Sequence, residues 1–531
     1  MTQEFDYIVV GAGSAGCVLA NRLTASGKHR VLLIEAGPDD NHLFINMPAA
    51  FTQAMTKGRF DWGYETEPEQ HLNGRTAPCY RGRVMGGSSS INAMSFVRGH
   101  RADFDAWALK HGLEDWSYEK CLPYFKKLET FSGGANDYRG GSGPVNVTAP
   151  KLSSPLQSMF LAAAEQAGYP IAKDTNGEDQ EGFGLNDQTI HKGRRVSAAT
   201  AYIHPIRSRK NLRIEKEAMV DRVLFADGRT RGVEYRKNGQ TKQAFCAKEV
   251  ILSAGSINSP KLLVLSGIGP AKQLASLGID VVVDSPEVGQ NLHDHVDFSI
   301  SHKANQPITV SPALRFPKKA MIGIEWILRK TGWGATNHFE TVGYIRTNDE
   351  LSQPNVQYVL VPLLAKPDGS SKARVHGFQV TAMLLRPRSR GTVTVQSTDS
   401  ERPPAIHYNY LARTGDLEEL RECVRKLRVI LAQPALDACR GPELSPGIEV
   451  QTDDEIDEFI RQNLKSTYHP CGTCRMGIDD ASVVDAEGRV RGVSGLRVVD
   501  ASIFPSVTSG NINAPTLMIA EKLVDKILDG Q

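Results

Sequence analysis

Three groups of side chains in this sequence could carry chemistry by themselves. His469 offers an imidazole, which accepts a proton near neutral pH because its ordinary pKa is about 6.5. Cys471 and Cys474 have the spacing of a thioredoxin-like redox pair. His293 and His295 would share one face of an extended segment, as metal ligands do. Each group also has an ordinary interpretation, as a hydrogen-bonded histidine, packing cysteines or a histidine pair that lacks further ligands. We favour packing for the cysteines and expect no metal site.

A dinucleotide-binding fingerprint stands at the start of the chain. An apolar strand runs into Gly11-Ala-Gly13-Ser-Ala-Gly16, a helical stretch follows to about residue 26, and a second strand ends at Glu35. The three glycines serve, in order, the tight turn, close approach of the backbone to a pyrophosphate, and close packing of helix on strand. The pyrophosphate then binds at the helix N-terminus. Glu35 is placed to accept hydrogen bonds from ribose hydroxyls, which favours FAD or NAD over NADP.

Composition excludes several classes of protein. The 531 residues suggest two or more domains, and 40% hydrophobic with 23% charged residues is ordinary for a globular protein. A net charge of +2 gives no electrostatic case for a nucleic-acid partner. Eight cysteines are too sparse for a disulfide scaffold. With neither a signal peptide nor a membrane-spanning stretch in the pattern, we expect a cytoplasmic protein, and peripheral contact with the inner membrane stays open.

Local patterns predict the elements that follow. Alternation around the Asp227-Gly228 turn predicts a β-hairpin, 219–225 with 232–236. A strand at 212–214, a buried strand at 249–253 and a helix at 259–265 surround it. Between residues 298 and 410 we predict an antiparallel sheet with strands at 356–361, 377–385 and 391–396. A helix at 417–433, a strand at 496–500 that ends on Asp500 and a helix at 515–528 complete the chain.

These elements predict an α/β fold in which one domain interrupts another. The opening and closing segments share a nucleotide-binding pattern, so a Rossmann-like domain is assembled from 1–155, 195–297 and 460–531. An inserted α+β substrate domain, 156–194 and 298–459, contains the antiparallel sheet. We expect that sheet to lie over the ligand of the first domain.

Four further motifs indicate a particular family of proteins. They are the glycine–serine loop 81–92, the segment 255–269 after the buried strand, the segment 469–477, and Gly510-Asn-Ile-Asn-Ala-Pro-Thr516. With the fingerprint, they cover essentially the whole chain in order. The sequence resembles the glucose–methanol–choline (GMC) flavoprotein oxidoreductases, within them the choline-dehydrogenase-like and aliphatic alcohol dehydrogenases. The resemblance implies FAD as cofactor.

The resemblance also implies roles for individual residues. His469 matches the catalytic histidine, and Asn513 matches a second catalytic position that holds His or Asn. Ile91 stands where some members carry a histidine bonded to FAD, so we predict noncovalent FAD. The cofactor-binding residues that we predict are Gly11, Gly13, Ser14, Ala15, Gly16, Glu35, Ala36, Arg83, Gly86, Gly87, Ser88, Asn92, Ala93, Val220, Ala254, Asp500, Ala501 and Asn511.

The expected reaction is oxidation of an alcohol, in the first instance a primary one, to the aldehyde. His469 would remove the hydroxyl proton, Asn513 would hold the substrate oxygen, and the flavin would take the hydride at N5. Electrons would pass to a quinone-type acceptor, with oxygen as the nearest alternative. A lyase of this fold, such as a hydroxynitrile lyase, and a flavin-binding protein without turnover are the alternatives from other classes.

The sequence does not identify which alcohol is the substrate. Choline would need aromatic faces and an acid around its ammonium group, and Trp62, Trp333 and Glu340 are the residues available. Aliphatic and aromatic alcohols and polyethylene glycols are the other options. The basic-ended apolar helix predicted at 318–330 belongs to the core or the substrate entrance, with a membrane-surface contact as the alternative. The oligomeric state is left open.

Overall fold

Two seven-stranded sheets organise this protein in the computed structural model, which describes residues 4–56, 58–364 and 375–529. The first, here called the nucleotide sheet, has a parallel half. It consists of Leu212–Glu215, Val31–Ile34, Glu4–Val10, the end of Gln240–Leu252, and Leu496–Val498. The central strands are nearly continuous apolar runs because helices cover both faces of such a sheet.

The other half of the nucleotide sheet is the predicted hairpin. Ala218–Ala226 pairs antiparallel with Arg229–Lys237, and Asp227 in the turn has φ of 52°. The hairpin in turn pairs with the first part of Gln240–Leu252. The buried strand predicted at 249–253 is therefore the end of a longer strand that changes partners along its length.

The second sheet, here called the roof sheet, is antiparallel throughout. It contains the predicted strands 356–361 and 377–385, and its members in order are Arg440–Ser445, Val296–Ala304, Gly377–Leu384, Val356–Val361, Thr341–Ile345 and Gly182–Leu185, with Lys465–Ser466 beside Val296–Ala304. The run at 391–396 was wrongly placed in this sheet. Thr392–Thr394 pairs instead with Ala405–His407 in a separate ladder, and Gly391 before it pairs with Leu292.

Helices cover both sheets. Ser14–Leu23 ends three residues before the predicted point, and the helix predicted at 259–265 begins earlier, as Gly255–Leu265. Thr414–Leu431 buries Leu420, Val424 and Leu427 in the core under the roof sheet. The remaining helices are Leu43–Asn46, Phe51–Thr56, Arg101–His111, Tyr118–Leu128, Pro155–Gln166, Ala271–Ser276, Lys318–Arg329, Asp453–Asn463 and Asn513–Asp529.

Short ladders connect the larger elements. They are Tyr64–Glu65 with Pro78–Cys79, Glu129–Phe131 with Val145–Val147, Ile190–His191 with Arg194–Arg195, and Ile268–Gly269 with Val283–Asp284. The α/β class with a second, antiparallel sheet is confirmed. The predicted division of the chain between two domains stays a prediction. Within the described ranges, no helix is both long and apolar enough to cross a bilayer.

The helix Lys318–Arg329 is not a core helix. It buries Trp326, whereas Met321, Ile324, Ile327 and Leu328 are more than half exposed. The core interpretation of this segment is therefore wrong. The helix lies at the rim of the cavity described next, since Lys319 is among the lining residues.

Candidate active site

A cavity of about 670 Å³ lies between the two sheets. The carboxyl ends of the parallel strands, at Val10 and Ile34, meet it from one side, and one face of the roof sheet meets it from the other. Its volume is within the range of roughly 300–1,000 Å³ that small-molecule and cofactor sites have. Ligands of open α/β sheets bind in this position, outside the carboxyl ends of the strands.

The fingerprint glycines shape the nucleotide end of the cavity. Gly11, with φ of 96°, turns the chain into the helix, and Gly11, Gly13, Ser14 and Ala15 line the cavity. The helix has Gly13 at its N-cap and no side-chain cap, so its first N–H groups are available to an anion. Gly16 does not line the cavity. A Cβ there would lie 1.9 Å from the carbonyl oxygen of Gly11, so this glycine serves packing.

Glu35 lies at the cavity wall beside the turn. Its carboxylate accepts hydrogen bonds from the backbone N–H groups of Ala12 at 2.9 Å and Gly37 at 2.8 Å. Burial raises the pKa of Glu35 to about 7, and those two N–H groups oppose the rise. Each carboxylate oxygen keeps a lone pair for a further donor. This geometry suits the hydroxyls of a ribose, and Ala36 and Val220 line the cavity nearby.

The glycine–serine loop forms the opposite wall at this end. A Cβ on Gly87 would lie 2.7 Å from Cα of Gly13, so the loop lies directly against the fingerprint turn. Gly87, Ser88, Asn92 and Ala93 line the cavity. Arg83 and Gly86, which were also predicted to bind the cofactor, do not line the cavity. The guanidinium of Arg83 lies 4.8 Å from the ring centre of Trp62, and the Gly86 N–H donates to Ala12, so both support the loop from behind.

Asp500 closes the same region from the C-terminal part of the chain. It accepts hydrogen bonds from the backbone N–H groups of Gly255 and Ser502, both at 2.8 Å. Ala254 and Ala501 line the cavity with it. A free helix N-terminus, two glycine-lined walls and the buried acid Glu35 beside the turn are the features that the ADP half of FAD needs. The residues present fit that cofactor.

His469 stands at the far end of the cavity, buried, with contacts on both ring nitrogens. Nδ1 lies 3.0 Å from Nδ1 of His295 and 3.0 Å from Oγ1 of Thr467. Nε2 of His295 lies 3.0 Å from the carbonyl oxygen of Leu385, to which only a protonated nitrogen can donate. Nδ1 of His295 is therefore an acceptor, and His469 carries its proton on Nδ1. The lone pair of His469 is left on Nε2.

Burial and two neighbouring basic side chains keep this imidazole neutral. Burial, then the nearby His295 and Arg81, hold the pKa of His469 well below its ordinary value. Asp294 accepts a hydrogen bond from the backbone N–H of His469 at 2.8 Å, and its other oxygen accepts from Tyr410 at 2.7 Å. The imidazole of His469 is thus oriented through its ring and its backbone at once.

Asn511, not Asn513, is the asparagine in contact with His469. Nδ2 of Asn511 lies 3.1 Å from Nε2 of His469, and the Oδ1 of Asn511 is buried without a partner. Oδ1 of Asn513 accepts from the Ser14 hydroxyl at 2.7 Å, at the fingerprint helix. The structure therefore contradicts the placement of Asn513 beside the base. The difference arises at the helix start. Asn513 is the first residue of the helix Asn513–Asp529, whereas Asn511 lies in the segment before the helix.

The His293-Asp294-His295 segment supports His469, and its two histidines bind different partners. His293 bonds to Asn291, whereas His295 bonds to His469 and Leu385. In the described part of the chain, the side chains close enough to share an ion are Asp39, Asp40 and His204, and Arg207 and Lys216 already pair with these carboxylates. Sequence reasoning assigned no role to His295 or Asp294. The two histidines separated by one residue were the sequence feature that could have pointed to this supporting role.

The two cysteines beside His469 are free thiols in the core. Cys471 and Cys474 are fully buried and belong to the hydrophobic cluster of the nucleotide sheet. Burial raises the pKa of both thiols, which leaves neither as a ready thiolate. Their packing role is the one that the sequence favours.

Aromatic side chains line the far end of the cavity, but only Trp62 belongs to the residues that the sequence offered for an ammonium group. Trp62 lines it, together with Tyr80 and Tyr468, whose ring centres are 5.1 Å apart. Trp333 and Glu340 do not line it. The buried carboxylate of Glu340 accepts from the Ser153 N–H and hydroxyl and from Thr336, so it ties loops together.

Comparison with known proteins relates this chain to one enzyme family. Family models described as GMC oxidoreductase match residues 5–297 and 387–520. An oxygen-dependent choline dehydrogenase of Chromohalobacter salexigens is 48% identical, with 99% of this chain and 95% of that protein covered. A Pseudomonas fluorescens protein of the same name is 50% identical, with coverage of 99% and 94%. The crystal structure of pyridoxine 4-oxidase from Mesorbium loti has a TM-score of 0.90 at 32% identity, with 99% of each chain covered.

The chain belongs to the GMC oxidoreductase family, in its choline-dehydrogenase-like branch. It is an FAD-dependent alcohol dehydrogenase, and the predicted cofactor is confirmed.

The attachment of FAD is a separate prediction. Ile91 lines the cavity where a bonding histidine would stand, and its side chain packs in a small apolar cluster with Val84 and Phe60. An alkyl group cannot form a bond to the flavin, so acid precipitation should release all yellow colour into the supernatant. Colour that stays with the precipitated protein would contradict noncovalent binding.

Proposed function

We propose that this protein oxidises a primary alcohol to the aldehyde, with His469 as proton acceptor and Asn511 as the anchor of the substrate oxygen. The observation that carries the proposal is the pair formed by the Nε2 lone pair of His469 and the amide of Asn511, 3.1 Å apart at the cavity wall. In this structure Nδ2 of Asn511 donates to Nε2 of His469. A substrate hydroxyl that replaces this hydrogen bond donates its proton to Nε2 and accepts from Nδ2. Asn511 takes the role that the sequence assigned to Asn513.

The surrounding groups support each part of this proton transfer. Nδ1 of His469 keeps its proton because His295 and Thr467 accept from it, so Nε2 is the one basic position. As the hydroxyl proton leaves, negative charge develops on the substrate oxygen, and the amide of Asn511 donates to it. Arg81, which lines the cavity and interacts with His469, stabilises the same charge.

FAD, when bound, supplies the hydride acceptor at N5. The residues that would hold its ADP half are Glu35, Asp500 and the N-terminus of Ser14–Leu23. The alcohol would bind at the far end of the cavity, beside His469 and Asn511. We propose a quinone-type acceptor for the electrons. The relatives' names describe oxygen dependence, and oxygen is the alternative.

A panel of alcohols tests the activity and the acceptor together. Holoenzyme is mixed anaerobically with primary, secondary and aromatic alcohols, and flavin absorbance is followed. Bleaching by primary alcohols, then fast recovery on addition of a soluble quinone and slow recovery in air, is the expected result. Fast recovery in air alone would replace the quinone proposal by an oxidase. Failure of the whole panel to bleach the flavin would contradict alcohol oxidation and favour a lyase or a flavin-binding protein.

We also propose that the helix Lys318–Arg329 contacts an anionic membrane surface. Exposed apolar side chains, Met321 at 63% and Leu328 at 76%, stand beside basic residues at both helix ends. Apolar insertion combined with basic flanks is how helices bind anionic interfaces. The helix lies at the cavity rim, where a membrane-dissolved quinone would enter.

Vesicle sedimentation tests this contact. The holoenzyme should sediment with phosphatidylglycerol vesicles more than with phosphatidylcholine vesicles, and salt should release it. Leu328→Asp should abolish sedimentation, whereas Leu109→Asp, an equally drastic change at an 85% exposed leucine elsewhere, should not. Equal recovery of all proteins in the supernatant would contradict the proposal.

A further inference from the structure

The roof sheet presents an almost uncharged face to the substrate end of the cavity. Side chains alternate across a strand, so every second residue of three neighbouring strands points to the same side. The members of this face that line the cavity are Asp297, Gln357, Val359, Val361, Gln379, Thr381 and Met383. Asp297 is the one ionisable group in this set.

A lysine stands directly opposite that acid. Lys465 and Asp297 are cross-strand partners in the antiparallel pair of Lys465–Ser466 with Val296–Ala304. The Nζ of Lys465 lies 3.4 Å from Oδ1 of Asp297, and both residues line the cavity. Asp297 is 7% exposed. The negative charge of Asp297 at this end of the cavity is therefore paired with the positive charge of Lys465.

A second cation approaches the base. Arg81 lines the cavity, and its guanidinium donates to the backbone carbonyls of Tyr80 and Tyr468. Within the described ranges, no carboxylate lies at ion-pair distance from it. Arg81 therefore adds positive charge beside His469, which favours an alkoxide and disfavours a bound cation.

Other groups do not restore a cation site. Glu35 and Asp500 belong to the nucleotide end, and Asp294 is enclosed by Ser466, Tyr410 and the His469 N–H. Of the aromatic side chains at this end, Trp62 already faces the guanidinium of Arg83. Tyr80 and Tyr468 pack on each other, and the guanidinium of Arg81 donates to their backbone carbonyls. A quaternary ammonium group has no N–H to donate, so the roof amides offer it little.

We propose that this cavity takes uncharged alcohols and discriminates against quaternary ammonium alcohols, with Lys465 and Asp297 as the residues that set this preference. The inference rests on the proposed alcohol oxidation and concerns its substrate class. The aliphatic tail of the alcohol packs on Val359, Val361 and Met383, while the amides of Gln357 and Gln379 accept or donate to a polar substituent. Choline, the alcohol in the relatives' names, is then a poor substrate for this chain.

The test compares choline with its uncharged isostere, in which a tert-butyl group replaces the trimethylammonium group. Binding of each to holoenzyme is read from the perturbation of the flavin spectrum, and anaerobic flavin reduction is read separately. We expect the isostere to bind at least about tenfold more tightly, because the ammonium group would lie near Arg81 and Lys465 with no acid left to pair with it. Tighter binding of choline would overturn the inference.

Charge variants locate the cause. Lys465→Glu should raise the ratio of choline affinity to isostere affinity by roughly tenfold or more, and Lys465→Gln should move it in the same direction by less. Asp297→Asn should lower the ratio. Lys303→Glu makes the same charge reversal on the exposed part of Val296–Ala304 and should leave it unchanged.

The outcomes separate the two proposals. The ratio of choline affinity to isostere affinity is compared in proteins with full FAD content. If Lys465→Glu does not change this ratio, the assignment of Lys465 is overturned, even if the wild-type protein favours the isostere. Absence of flavin reduction by either alcohol would contradict the proposed oxidation, while the binding ratio would still decide the charge preference.

Discussion

His469→Ala is expected to slow alcohol-dependent reduction of bound FAD by about 10²–10⁴-fold, the range that one general base supplies. The loss follows because Nε2 of His469 is the basic atom beside Asn511, and Thr467 and His295 are committed to Nδ1. FAD content should stay near that of wild type, since the ADP half is held by Glu35 and the fingerprint helix. Stopped-flow absorbance of the anaerobic enzyme measures the rate.

Two controls separate a catalytic role of His469 from a structural one. Free imidazole should restore part of the rate in His469→Ala, because the cavity then has room for an external base. His71→Ala removes an exposed histidine outside the cavity and should leave the rate unchanged. A variant protein that binds FAD and keeps more than about a tenth of the wild-type rate would contradict general-base catalysis of this size.

The wild-type pH profile gives an independent readout. The histidine acts in its neutral form, so the rate is present above its pKa and is lost as the pH falls through it. Because burial holds the pKa of His469 well below its ordinary value, reduction should keep its plateau as the pH falls through 6.5 and decline only at lower pH. A decline centred at or above 6.5 would contradict a buried, neutral base.

Asn511→Ala is expected to lower the flavin reduction rate by about 10²–10³-fold, the cost of one donor to a developing oxyanion. Asn513→Ala is the matched variant, two residues away. Its Oδ1 accepts from Ser14 at the fingerprint helix, so its loss should weaken FAD retention and leave the reduction rate of FAD-loaded enzyme within about tenfold of wild type. Rates are compared per bound flavin. The reverse order of effects would return the substrate-anchoring role to Asn513.

The nucleotide end of the site was largely predictable because its determinants are local. Gly11, Gly13 and Glu35 act through a turn, a helix start and a strand end that lie within about one βαβ unit, and such a unit has a fixed geometry. The hairpin around Asp227 and the helix at Thr414–Leu431 follow from periodicity in the same way.

The catalytic end was less predictable because its contacts join distant segments. Asn511 and Asn513 stand in one Asn-Ile-Asn motif, and a shift of two residues at a helix start decides which one reaches His469. The hydrogen bond from His469 to His295 joins residues that are 174 positions apart, and a contact at such a separation cannot be predicted from motif spacing. The ion pair of Asp297 with Lys465 likewise depends on a strand of two residues that pattern reasoning passes over.

The most direct test of the account is one anaerobic turnover of the holoenzyme with a primary alcohol, with flavin absorbance and aldehyde measured together. We predict complete bleaching of the flavin, one aldehyde formed for each flavin reduced, and a slower rate when deuterium replaces the hydrogens on the hydroxyl-bearing carbon. A flavin that stays oxidised with every primary alcohol, or one that bleaches without formation of aldehyde, would contradict alcohol oxidation at His469 and Asn511.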